Sequence, residues 1–254
     1  MLPVVDSFDE LERDVVTCRA CPRLVAWREH VAGTRRAAFA QQTYWGRPVP
    51  GFGDRHASVL VLGLAPAAHG ANRTGRVFTG DRSGDFLFAA LHRTGYANQP
   101  TSVSLDDGLR LSGVWVSASV RCAPPANQPT PGERDACAGY LDRELQLLAP
   151  TLRSVVVLGG FGWQAGLPAL ARAGWVVPRP RPAFGHGAHV RLEPGPDAPP
   201  AASPLDVLGS YHVSQQNTFT GRLTPHMIDD VLRAADTRPP PVPPTGLEPV
   251  LRRF

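Results

Sequence analysis

The chain has no lysine, and all 26 of its basic residues are arginine. Every positive side chain is therefore a planar fork of N–H donors, suited to gripping phosphate or carboxylate at two points, rather than a compact ammonium. Abundant Ala, Gly and Pro fit a biased gene composition, which by itself can displace lysine. No apolar run reaches bilayer-spanning length. The opening M-L-P-V-V-D-S-F-D-E-L-E-R-D is acidic and mixed, unlike a secretory signal, so a cytosolic or nucleoid location is expected. Cysteine is scarce, at four residues, and a cytosolic chain of this size rarely spends it on disulfides. The formal charge of +4 pulls mildly toward a polyanionic partner, and a solvated arginine-rich surface would account for it equally well.

The richest stretch runs from Ser58 to Asp81, S-V-L-V-L-G-L-A-P-A-A-H-G-A-N-R-T-G-R-V-F-T-G-D. Val59 to Leu62 is an unbroken apolar run, as in a strand buried on both faces of a parallel sheet. Gly63 ends it, and a long loop without helical period is expected to follow, leaving the strand's carboxyl end, where open α/β sheets build ligand sites. Further core strands are expected at Val114–Ser119, Val155–Leu158 and Leu205–Gly209, with an edge strand at His189–Leu192. Helical spacing predicts helices over Phe8–Thr17 (capping box Ser7/Glu10), Leu24–Ala40, Ser83–Gly95 (capped by Ser83), Glu133–Ala149, Phe161–Ala173 and Thr224–Ala235. The alternation predicts an α/β fold, a parallel sheet covered by helices on both faces. A single domain is expected over 1–236, with a Pro-rich tail over 237–254 that is disordered or extended. The core strands end near Gly63, Arg121, Gly159 and Tyr211, so the unusual residues converge on one sheet edge.

Cys18 and Cys21 form a C-x-x-C, and Cys122 and Cys137 are the other two. Composition suits zinc or an iron–sulfur cluster equally, while buried, unrelated thiols are the plain alternative. A metal there would tie the N-terminus to the second core strand and its helix.

Five motifs coincide in this chain. They are the C-x-x-C, G-L-A-P-A from Gly63, N-R-T-G-R-V-F-T-G-D from Asn72 to Asp81, R-C-A-P-P-A-N-Q-P-T-P-G-E from Arg121 to Glu133, and S-Y-H-V-S-Q-Q-N from Ser210 to Asn217. Together, over roughly residues 15 to 235, they resemble the family 5 (type B) uracil-DNA glycosylases, iron–sulfur members of the uracil-DNA glycosylase superfamily known from mycobacteria and thermophiles. The resemblance implies a three-layer αβα fold with a four-stranded parallel central sheet, and a 4Fe–4S cluster held by Cys18, Cys21, Cys122 and Cys137. It implies hydrolysis of the N-glycosidic bond of uracil in single- or double-stranded DNA by base flipping, leaving an abasic site, with a monomer as the working unit. It places Gly63, Leu64 and Ala65 beside the flipped base and sugar, Phe78 stacked on the base, and Asn127 recognising it. His212 would bond the base oxygen near the scissile bond, and Asn217 would lie in the loop that enters the duplex. Asp81 matches the acidic residue proposed to be catalytic. In most of the superfamily a polar or acidic residue just after the first strand positions the water. Here those places hold Leu64, Ala65 and Ala67, which leaves Asp81 by elimination.

The chemistry agrees. Breaking an N-glycosidic bond develops positive charge on the sugar and negative charge on the departing base, which a carboxylate and a histidine donor respectively stabilise. A base in a duplex must be flipped into a pocket with an aromatic face and amide donors. Each residue also has a plain reading: Phe78 as core, Asp81 as a helix cap, His212 as a satisfied structural histidine, Asn127 as a turn residue. His69, His186 and His189 lie in Gly-rich loops, and Gly159-Gly160 is either a turn or a phosphate-facing helix start. The small Ala65, Ala67 and Ala68 leave room for a purine, so hypoxanthine or ethenocytosine join uracil as expected targets. Two other classes compete: an iron–sulfur redox or electron-transfer protein, and a non-catalytic DNA-binding module.

Overall fold

In a computed structural model, which describes residues 6–235, the expected core strands appear as β2 (Val59–Gly63), β3 (Val114–Ala118), β4 (Ser154–Leu158) and β7 (Leu205–Ser210). Three more join them: β1 (Phe52–Gly53), β5 (Trp175–Val176) and β6 (His189–Pro194). The sheet therefore has seven strands, in the order β1-β3-β2-β4-β7-β6-β5, rather than four. The inner β3-β2-β4-β7 block is parallel, with Leu60 opposite Trp115 and Val155, and Val156 opposite Leu208. β1, β6 and β5 extend it by antiparallel pairing. β6 covers the residues of the expected edge strand, but β5 pairs along its outer side, so it does not lie at the edge. β1 and β5 are two residues long, too short to carry a period.

Helices α1 (Phe8–Thr17), α2 (Pro22–Thr34), α3 (Ala71–Thr74), α4 (Arg82–Arg93), α5 (Pro131–Leu148), α6 (Gly160–Arg172), α7 (Gln215–Phe219) and α8 (Pro225–Ala234) complete the order. Alternate residues of β2 serve opposite faces. Val59 and Val61 join Leu87, Phe88 and Leu91 of α4 and Ile228 and Leu232 of α8 in one core. Leu60 and Leu62 join Leu141 and Leu145 of α5 and Trp163 and Leu167 of α6 in the other. A buried ion pair locks α5 to β3: Arg121 Nη2 donates to Glu144 Oε2 at 2.6 Å and Nη1 to Ser117 Oγ at 2.7 Å. Trp115 Nε1 adds a bond to the other Glu144 oxygen at 3.2 Å. Removing one partner would strand the other charge in the core, which typically costs ~3–5 kcal/mol.

Several boundaries differ from expectation. α2 stops at Thr34 because Arg35 enters the left-handed region at φ 56°. The loop after β2 contains one helical turn, α3, closed by Gly75. α4 is capped by Asp81, whose Oδ1 accepts the Gly84 N–H at 3.0 Å, and not by Ser83. The box at α1 is half formed: Ser7 Oγ accepts the Glu10 N–H, while the Ser7 N–H goes to Asp6. A full capping box stands instead at Thr130 and Glu133, before α5. The tail expected over 237–254 lies outside the described residues.

Candidate active site

The strand ends do converge. A cavity of about 440 Å³ opens at the carboxyl edge of the parallel block. Its lining includes Leu64, Ala65 and Ala67 after β2, Phe78 and Asp81 before α4, Asn127 after β3, Gly159 after β4, and His212 and Asn217 after β7. Gly63 lies beneath rather than in it. A Cβ there would sit 2.6 Å from the tip of the Phe78 ring, so glycine makes room for that ring at the strand end. The Phe78 and His212 rings are 6.3 Å apart between centroids, tilted by 39°.

Phe78 is held in an uncommon conformation, φ 52°, which a non-glycine residue keeps only when its surroundings impose it. They do so through buried polar bonds. Arg76 Nε donates to Thr79 Oγ1 at 3.0 Å, and Arg76 Nη2 donates to Ser102 Oγ at 2.8 Å and to Asp107 Oδ2 at 2.6 Å. The Asp107 carboxyl loses some of this to burial, yet the Arg76 guanidinium and the Val103, Ser104 and Leu109 N–H groups hold it down at about 2. Arg73 ties the middle of the same loop to its end, donating to His69 O at 2.8 Å and Gly80 O at 2.6 Å.

Asp81 is half-buried at the first turn of α4. Desolvation pushes its carboxyl above the ordinary range, and the N–H groups of Gly84 and Ser83 pull part of the way back. Oδ1 is committed to the cap. Oδ2 lies against Gly70, where a Cβ would come within 2.0 Å of it. His212 is half-buried, and desolvation holds its imidazole below the usual range, so at neutral pH it is an uncharged ring with one N–H to give. Asn217 lines the cavity from α7, in the segment that follows β7. Its Nδ2 donates to the His212 carbonyl at 2.8 Å, tying α7 to the histidine's backbone. Asn127 stands exposed on the rim at φ 56°.

The remaining histidines are tied into the scaffold. His69 Nδ1 meets Tyr44 Oη at 3.0 Å, His186 Nδ1 accepts the Tyr211 N–H at 3.2 Å, and His189 pairs with Asp206 at 2.8 Å. Gly159 is both a cavity wall and the N-cap of α6. Residue-by-residue reading missed Tyr211, Arg222 and Phe161 as lining residues. The first sat in a quoted motif without a role. The exposure of Phe161 (65%) and Phe219 (70%) at this edge has no sequence signal, because an aromatic is ordinarily read as core.

Behind β3, the four cysteines line a second, small cavity with Leu24, Arg28 and Tyr140. Cys18 follows α1, Cys21 caps α2, Cys122 follows β3 and Cys137 lies in α5. None of the four is in a disulfide. Burial pushes Cys137 up to about 11 and raises Cys122 and Cys21, in each case as the largest effect. Among the described residues no group of three or more His, Cys, Asp or Glu is drawn close enough to hold a metal ion; the thiols ring a space instead.

The sequence pattern of the Uracil DNA glycosylase superfamily matches residues 50–236. A type-5 uracil-DNA glycosylase of Mycobacterium tuberculosis is 54% identical over 90% of this chain and 81% of its own. Another from Thermus thermophilus is 51% identical over 87% of this chain and 93% of its own. A third, from Pyrobaculum aerophilum, is 44% identical over 90% and 92%. The match spans both the strand-end cavity and β3 with α5, and at this identity and coverage the chain belongs to the type-5 uracil-DNA glycosylases of that superfamily.

Proposed function

We propose that this chain removes uracil from DNA by hydrolysing its N-glycosidic bond, and that the strand-end cavity does the work. The observation that carries this reading is the meeting of an aromatic face, an uncharged imidazole and a half-buried carboxylate in that one cavity, in a chain of this family. The flipped uracil stacks on Phe78, with Leu64 and Ala65 beside it and Asn127 offering its amide from the rim. His212, being neutral, gives a hydrogen bond to the base oxygen as negative charge gathers there. An N–H aimed at a developing anion in a dry site is worth about 10²–10³ in rate. Asp81 faces the sugar: its charge, held against the α4 N-terminus, balances the growing positive charge and orients water through Oδ2. Exposed Phe161 lines the cavity, exposed Phe219 lies beneath Arg82, and Arg222 covers the Tyr211 ring. These suit a surface that separates stacked bases and holds phosphate. Leu64, Ala65 and Ala67 leave the cavity wide, so hypoxanthine and ethenocytosine are accepted as well. The working unit is a monomer on DNA in the cytoplasm, at the nucleoid.

The cysteine cavity fits a 4Fe–4S cluster. Four thiols surround a space rather than a point, and a buried guanidinium lies 2.9 Å from one sulfur, Arg28 Nη1 to Cys122 Sγ, where a neutral thiol is a poor acceptor. Cys18, Cys21, Cys122 and Cys137 would hold it. Bound there, it would supply a staple joining α1, α2, β3 and α5, with no part in the hydrolysis.

The experiment is excision from labelled oligonucleotides carrying one uracil, hypoxanthine or ethenocytosine, single-stranded and paired, read as alkali-cleaved product. Release of uracil, with slower release of the others, is expected. Binding without cleavage would indicate a DNA-binding module and overturn the reading.

A further inference from the structure

Arg28 is one of the most deeply buried charges in the molecule, 2% exposed. Its Nη1 donates to Cys122 Sγ at 2.9 Å and its Nη2 to the Cys18 carbonyl at 3.1 Å. Its Nε has no partner. The carboxylate beside it, Glu29, lies 3.9 Å from Nη2, is half exposed, and is already taken by both Arg19 nitrogens at 2.5 and 3.2 Å. A second buried guanidinium borders the same cavity, but Arg121 is balanced by Glu144 at 2.6 Å. Arg28 is thus a buried cation whose main acceptor is a cysteine sulfur. Buried charges are paired or they are costly, and a neutral thiol does not pair one. The arrangement makes physical sense when the sulfurs carry negative charge.

We propose that Arg28 is the counter-charge of the 4Fe–4S cluster, an inference that rests on the cluster reading of the four cysteines. Four thiolates give such a cluster a net negative charge. A hydrogen bond to one sulfur and a positive charge beside it are the levers that tune a cluster's reduction potential, and such outer contacts also govern how firmly a metal is held. Arg28 supplies both levers from one side chain. Its own carbonyl accepts from Asn72 Nδ2 at 3.2 Å, so α2 is also pinned to the loop that carries Asp81. Without Arg28 the cluster should be harder to reduce and easier to lose.

The test uses holoprotein purified without oxygen: wild type, Arg28→Met, Arg28→Gln, Arg28→Lys, and Arg23→Met. Arg23 lies on the same helix but pairs with Glu133 at 2.6 Å and touches no sulfur, which makes it the control. Iron and sulfide are counted first; a wild type without four of each sinks the cluster reading itself, whatever Arg28 does. With the cluster present, its visible absorbance in chelator should decay about tenfold faster in Arg28→Met than in wild type. The reduction midpoint should fall by about 59 mV or more, a tenfold change in the reduced fraction for one electron. Arg28→Lys should lie between, and Arg23→Met should match wild type. Equal decay and equal midpoints in wild type and Arg28→Met would overturn the proposal. If Arg28→Met yields no folded protein, Arg28→Gln decides: it keeps an N–H donor but loses the charge, and a decay rate and midpoint equal to wild type would overturn the proposal.

Discussion

At the scale of single residues, the notable case is Asp81, which caps a helix and also lines the cavity. Its Oδ1 caps α4, and its Oδ2 lies against Gly70. The pH dependence follows from the two perturbed groups. Burial raises the Asp81 pKa above 3.8, so its charge is lost as pH falls through that raised value. Burial lowers the His212 pKa below 6.5, so its unwanted charge appears only as pH falls through that lowered value. Both losses are on the acid side. Single-turnover excision should therefore be flat above about pH 6.5 and decline below it. Asp81→Asn should cut the rate about a hundredfold or more with DNA affinity within about threefold. A rate that rises on acidification would contradict these assignments. Asp81 and His212 could be chosen from the sequence because their residue types suit the charge that glycosidic hydrolysis creates, and Phe78 because an aromatic face suits a flat base. The bond from Asn217 to the His212 carbonyl could not: an amide that ties a loop to a carbonyl has no signature distinct from one that meets DNA.

At the scale of elements, the loop from Gly63 to Asp81 is a built object rather than slack chain. Arg73 ties its middle to its end near Gly80, Arg76 and Asp107 fasten its far side to the segment before β3, and α3 sits inside it. None of this shows in periodicity, since a four-residue helix has no pattern and buried arginines look like surface ones in a sequence. The core strands were legible because unbroken Val/Leu runs mean burial on both faces. The edge strands were not, because two-residue pairings answer to neighbours rather than to their own composition. The loop's packing makes a sharp prediction at Gly70. Its φ of −97° does not itself require glycine, but a Cβ would collide with Asp81 Oδ2. Gly70→Ala should displace the carboxylate and lower single-turnover excision about tenfold or more, since small misplacements of catalytic groups are costly. Its melting temperature should stay within a few degrees of wild type. Unimpaired excision by Gly70→Ala would mean that Oδ2 is free to move without loss.

At the scale of the whole molecule, every cation that could meet DNA is an arginine apart from the terminal amine. Backbone contacts should follow that chemistry. An arginine-directed dicarbonyl reagent should abolish DNA binding, with bound DNA protecting against it, whereas acylation of amines should leave binding within about twofold. Sensitivity to amine acylation would place the binding surface elsewhere. The order of the sheet has a further consequence, for the protein's synthesis. The cavity takes its walls from residues between Leu64 and Arg222, and β7, which delivers His212, lies inside the sheet between β4 and β6. On the ribosome, a chain stalled before β7 holds Phe78 and Asp81 but has neither the imidazole nor the strand that closes the parallel block. Excision can therefore begin only after β7 and the residues that follow it to Arg222 have been made, and products interrupted before then meet the genome without the means to cut a base from it.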